Sequence, residues 1–191
     1  MDKLKTFLQT LTPISEKELE ELKNTFYEVH LRKGDLLLQK GKVCKQMSFV
    51  NRGSLRTFYF NDKAEEITHC FRTAKTFVSS YRSFILQEPS LLSIIALEET
   101  ELLVIDYDKL QKLYSTGMTW QNIGRILTER AYIEMEEYAS VLNNESAKEK
   151  YLRLLNEQGE VLQKAKVEHI ASYLGVTRRT LSRIRQEISM Q

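Results

Sequence analysis

Residues 167–188 read VEHIASYLGVTRRTLSRIRQEI. Ile170 and Leu174 stand four apart and give a first helix one apolar face. Ala171, beside them, is small enough for a second helix to cross closely. Gly175 follows Leu174, where the chain must leave the helix through a positive φ angle, which glycine adopts without steric cost. Val176 seals the turn, and Thr177 is a good N-cap for the next helix. Leu181, Ile184 and Ile188 then recur at i, i+3 and i+7 as its buried stripe. Apolar, small, apolar, Gly, apolar, at fixed spacing, is the pattern of a helix-turn-helix.

The outward face carries the function. At about 100° per residue, Arg179, Arg183 and Gln186 lie opposite the buried stripe, with Ser182 beside them. Arg178 and Arg185 fall on the flank. Arg and Gln hydrogen-bond bidentately to guanine and adenine edges in the major groove. A flank arginine more naturally meets phosphate, as do the free amides at a helix start. A solvated face on a structural bundle is the plainer reading. Four arginines within eight residues, almost without acid among them, weigh against it and for DNA.

Charge agrees in sign. Residues 146–191 hold nine Lys/Arg against five Asp/Glu, whereas the rest of the chain is faintly acidic, for a net charge of +2. A basic tail suits an anionic partner, but the excess is too small to identify nucleic acid by itself.

Upstream, a long helical pattern is expected. Trp120, Ile123, Leu127, Ala131, Met135, Tyr138 and Leu142 recur at helical steps and form one apolar stripe along about six turns. The stripe either covers its own domain or faces a twin helix. The second reading is preferred, because the stripe is longer than a small β-body needs. Asn143-Asn144 breaks the pattern, and Ser146 can cap a further helix to about residue 156.

Before residue 106 the texture is β. FYEVHL, DLLLQ, QMSFVN, SLRTFYF, EEITHCF, LLSIIALE and ELLVID are short apolar or alternating runs. Turn signals at Lys33-Gly34, Lys40-Gly41, Arg52-Gly53 and Asn61-Asp62 punctuate them. Close, regular spacing argues for an antiparallel sandwich or barrel. Ser15 and Glu18 make a capping box for a short helix before it, and residues 107–115 form another, closed by Gly117.

At 191 residues and 42% hydrophobic the chain is globular, of one medium domain or two small ones. It has no run of 18 apolar residues and no apolar leader, so no membrane span or secretory signal is expected. Cys44 and Cys70 cannot form a zinc quartet or a disulfide framework, and the chain reads as cytosolic and cytoplasmic, with free thiols.

With these motifs in hand, the chain from about residue 15 to 188 resembles the bacterial regulators built like the cyclic-AMP receptor protein and the fumarate–nitrate regulator, the Crp/Fnr family. IASYLGVTRRTLSRIR is similar to their helix-turn-helix, and LRKGDLLLQKGKVCKQMSFVNRGSLRTFYF to the opening strands of their cyclic-nucleotide-binding-like jelly roll. The resemblance implies an α+β chain in three parts: a sensor jelly roll over 1–116, a dimerisation helix over 117–143 and a DNA-binding domain over 144–191. It implies a homodimer that regulates transcription, with double-stranded DNA and RNA polymerase as partners. By matching position it makes Arg178, Arg179 and Arg183 the base readers. With the helical geometry, the expected DNA-binding set is Thr177, Arg178, Arg179, Ser182, Arg183 and Gln186.

The departures are as specific. Cyclic-AMP-binding members carry a Gly-Glu pair and an Arg-Ser pair in a cassette, the Glu for ribose and the Arg for phosphate. Here Phe77-Val78-Ser79-Ser80 stands at the first and Glu88-Pro89-Ser90 at the second. A cyclic phosphate would lack its charge-assisted partner, so cyclic AMP is not expected to bind. Arg82, the cation within that stretch, reads as a surface residue. Two cysteines cannot supply an iron–sulfur cluster, and His30, His69 and His169 lack metal-ligand spacing. No cofactor or metal is expected, and the effector stays unassigned. The chain stops three residues after Ile188, where family members continue into a β-hairpin wing, so more of the phosphate contact is expected from Lys164–Lys166. No nucleophile elbow, phosphate loop, dinucleotide fingerprint or HExxH occurs, so enzymatic activity is not expected. The alternative is a sensor of a ligand or partner protein with little sequence-specific DNA binding.

Overall fold

The computed structural model describes residues 1–190; the side chains of residues 141–143, Leu142 of the predicted stripe among them, lie outside the described residues, as does Gln191. The chain opens with α1 (Asp2–Gln9) and α2 (Glu16–Thr25). Strands β1 (Tyr27–Leu31), β2 (Leu36–Leu38), β3 (Gln46–Arg52), β4 (Leu55–Phe60), β5 (Glu66–Arg72) and β6 (Phe77–Val78) follow. After α3 (Tyr81–Leu86) come β7 (Ser93–Ala96), β8 (Thr100–Asp106), α4 (Tyr107–Thr116) and α5 (Met118–Asn144). The C-terminal region is helical: α6 (Ala147–Gln158), α7 (Val161–Lys164), α8 (Val167–Leu174) and α9 (Arg178–Ser189).

The strands form two antiparallel sheets, ordered β1-β8-β3-β6 and β2-β7-β4-β5, that face each other as a β-roll. Leu102 to Ile105 in β8 are consecutive and all buried. A strand buried on both faces needs cover on both sides. The roll interior supplies one side. Leu4 and Leu8 of α1, Leu22 of α2 and Trp120 and Ile123 of α5 share the same core. Gly53 turns the chain from β3 to β4 at φ +95°, and a Cβ there would lie 2.5 Å from Thr100 Oγ1, so only glycine fits.

The expected capping box of Ser15 with Glu18 starts α2, and the expected cap Ser146 starts α6, where Glu149 completes a second box. Each of the seven β runs contains a strand. The reading of the sequence missed α1, α3, the four-residue α7 and the two-residue β6. All four are too short for periodicity to speak, and α1 is held by burial of Leu4 and Leu8.

The long helix runs as expected, but its stripe divides. Trp120 and Ile123 are buried in their own domain, and Leu127 packs against that core. Below this the roll meets the helix on one side only, at Glu134 and Tyr138. Ala131 is exposed, Met135 is 60% exposed, and Tyr132 and Ile133 are exposed as well. Tyr138 is half-buried, its ring 5.9 Å from that of His69.

Candidate functional site

Helices α8 and α9 meet at Gly175, which takes the left-handed conformation at φ +70° and closes α8. Thr177 caps α9, its hydroxyl accepting from Thr180 N. Ile170, Ala171 and Leu174 of α8 and Leu181 and Ile184 of α9 form a second apolar core with Tyr151, Leu154 and Val161.

That packing leaves one face of α9 in solvent. Arg178, Arg179, Ser182, Arg183 and Gln186 are all exposed, as is Thr177 at the helix start. Arg178 lies 3.8 Å from Glu168, and Arg183 lies 3.8 Å from Glu187. Both contacts are long and exposed, so they hold the arginines weakly. Arg179 has no ion pair among the described residues. Ser182 Oγ donates to Arg178 O within the helix, so its hydroxyl is already engaged.

Two basic residues of the expected patch lie elsewhere. Arg185 is half-buried, with its guanidinium 5.7 Å from the ring centre of Tyr151. It is a packing residue of the bundle and not a flank cation. Lys164 pairs with Glu98 of the roll at 3.0 Å, which ties α7 to the sensor. Of the upstream basic segment, Lys166 stays exposed, 3.8 Å from Glu168. Neither displacement is visible in helical periodicity, because Tyr151 and Glu98 come from remote parts of the chain.

The cassette region is closed on itself. Ser90 Oγ donates to Ser80 Oγ at 2.8 Å, and both residues are buried. Arg82 is exposed and pairs with Glu88 at 2.9 Å, as a surface residue does. Where the roll faces α5, Arg72 pairs with Glu134. Burial, and then the Arg72 charge, pull His69 below the usual histidine value, and burial pushes the Cys70 thiol up. Among the described residues, no group of three His, Cys, Asp or Glu is placed to hold a metal ion.

Residues 28–116 match the family model described as cyclic nucleotide-binding domain. No curated protein matches the chain by sequence. Solved structures match through the roll and the C-terminal helices. The catabolite activator protein of Thermus thermophilus is 18% identical, with 96% of this chain and 87% of that one covered at a TM-score of 0.60. FixK2 of Bradyrhizobium japonicum is 16% identical, with 87% and 85% covered at 0.73. The c-di-GMP responsive global regulator CLP of Xanthomonas campestris is 18% identical, with 90% of each chain covered at 0.67. At such identities the likeness is one of fold. Residues 28–116 are therefore similar to a cyclic nucleotide-binding domain, and together with the helical region that follows they have the fold of those proteins.

Proposed function

We propose that the chain is a homodimeric, DNA-binding transcription regulator whose β-roll sensor does not take cyclic AMP. The observation that carries this reading is the solvent face of α9. Arg179, Arg183 and Gln186 project away from the buried Leu181 and Ile184, with Arg178 at the first turn. Side chains of this chemistry on a helix that follows a glycine turn suit the major groove. Arg178, Arg179 and Arg183 read bases, Gln186 supports them, and Thr177 and Ser182 line the approach. The division into a sensor over 1–116, a dimerisation helix over 117–143 and a DNA-binding unit over 144–191 belongs to the same reading. The open apolar side of α5 at Ala131, Tyr132 and Met135 seats the twin helix. RNA polymerase is the further partner, and no catalytic role is assigned.

Glu88-Pro89-Ser90 at the position of the phosphate arginine, with Ser90 bonded to Ser80, supports a sensor without a phosphate cation. Calorimetry with cyclic AMP and cyclic GMP is expected to give no binding at physiological concentrations.

The experiment that tests the main reading is a mobility shift on the DNA upstream of the chain's own coding region. Specific retardation is expected, on a near-palindromic site whose half-sites lie about one helical turn apart. Equal affinity for that DNA and for random DNA would leave the roll as a sensor of some other partner.

A further inference from the structure

Beside the closed cassette the roll holds a cavity of about 380 Å³, between β2, the loop 39–46 and β6. Leu37, Leu38, Val43, Val78 and Ile94 supply the apolar part of its lining, and Gln39, Gln46 and Ser79 add polar groups. Leu36, at its mouth, is 48% exposed. Lys42 and Lys45 stand on the rim, and no Asp or Glu lines the cavity. Both lysines are exposed, and neither ammonium has an ion pair or hydrogen bond among the described residues. Other lysines of the chain do find partners: Lys40 sits over the Phe60 ring, and Lys164 binds Glu98.

The cavity touches the cassette only at Val78 and Ser79. Neither Ser80, Ser90 nor any residue of α5 lines it. Its volume falls at the small end of ligand sites, which run from about 300 to 1,000 Å³. At roughly 30 Å³ per heavy atom, the share of a water molecule in the liquid, it holds about a dozen non-hydrogen atoms. A lining that is more apolar than polar, with a cationic rim and no acid, favours an amphipathic anion over a cation.

We infer that this cavity binds an apolar monoanion, a carboxylate with a hydrocarbon body of about ten carbons, its head group at Lys42 and Lys45. The regulatory meaning of such binding rests on the function proposed above; the binding itself does not. A contiguous set of contacts leads from the cavity wall. Cys44 N donates to Ser83 Oγ of α3 at 2.9 Å. Two residues earlier, at the start of α3, the Tyr81 hydroxyl meets Thr128 of α5 at 2.9 Å. A ligand that moves the Cys44 wall therefore pushes on α3 and, through it, on the long helix.

The test is calorimetric titration of the full-length chain with decanoate, below its micellar concentration, and with decanol. One decanoate is expected to bind per chain, with decanol at least about tenfold weaker. The Lys42→Glu/Lys45→Glu variant is expected to lose about tenfold or more in decanoate affinity at an unchanged thermal midpoint, since both side chains are exposed and unpaired. No decanoate binding, equal affinity for decanol, or equal affinity in the lysine variant would overturn the inference. Lysine-dependent binding that leaves DNA affinity unaltered would uphold the site and count against the sensor reading alone.

Discussion

Ser172 of α8 accepts a hydrogen bond from the backbone N–H of Thr68 in β5 at 2.9 Å. β5 is an edge strand, and a free edge is a template for unwanted pairing. Here a helix of the C-terminal region occupies it. The Thr68 hydroxyl donates to His169 O at 2.9 Å, and the rings of Phe71 and Tyr173 lie 5.4 Å apart. Phe71 and Leu97 of the roll even belong to the apolar core of the C-terminal helices. The roll and the helices are thus joined by a packed and hydrogen-bonded seam.

Arg56 lies under that seam with its side chain only 1% exposed, donating to Thr68 Oγ1 and to Glu66. Removing Glu66 strands a buried cation, whereas removing Arg56 leaves a carboxylate that reaches solvent. Glu66→Ala is expected to cost near the lower end of about 3–5 kcal/mol, and Arg56→Met close to nothing. Urea denaturation of both variants measures this. A larger loss for Arg56→Met would mean that the guanidinium stabilises by packing, not by charge.

Stability is expected to fall on acidification. Burial, and then the Arg56 charge, hold His169 below the usual histidine value, against the opposing pull of Glu66 and Glu168, with Lys166 also nearby. The unfolded chain therefore binds the proton more readily than the folded one. The contribution is complete above the ordinary value of about 6.5 and is lost as pH falls from there toward the lowered folded value. His69 acts in the same sense. The thermal midpoint should drop between about pH 7.5 and pH 5.5, and His169→Gln should flatten part of the drop. An unchanged slope in that variant would assign the effect elsewhere.

The divided stripe of α5 separates association from folding. Met135→Asp alters an exposed position and is expected to give a folded monomer by sedimentation at micromolar concentration. Ile123→Asp buries a charge in the roll and is expected to unfold the chain. A dimeric Met135→Asp variant would move the seam to another face.

The arginines of α9 should separate in the same way. Arg179→Ala and Arg183→Ala are each expected to cost about 1–3 kcal/mol on the operator and to relax preference at one base pair. Arg178→Ala is expected to act partly through phosphate, which lowers the salt dependence by up to about one unit. Arg185→Ala should lower the thermal midpoint and leave the ratio of specific to non-specific affinity intact, because its guanidinium packs on Tyr151. An unchanged ratio for Arg179→Ala and Arg183→Ala would mean that the helix docks in another orientation.

Much of this architecture is local, and local structure is written in short spacings. The glycine at 175, the cap at Thr177 and the stripe of Leu181, Ile184 and Ile188 involve neighbours within seven residues. The Ser15–Glu18 and Ser146–Glu149 boxes close over three. Such features form wherever the segment sits, so they can be read without a fold.

The sequence by itself therefore determined the order of the main strands and helices, the turn between α8 and α9, and which arginines of α9 could face outward together. Tertiary structure decided what remote groups do to those residues. It drew Arg185 onto Tyr151 and Lys164 onto Glu98, and it buried the upper half of the α5 stripe while leaving Met135 bare. It set Ser172 against Thr68, residues 104 positions apart. Periodicity shows which side of an element is apolar. What covers that side depends on how distant segments pack, and no local spacing encodes it.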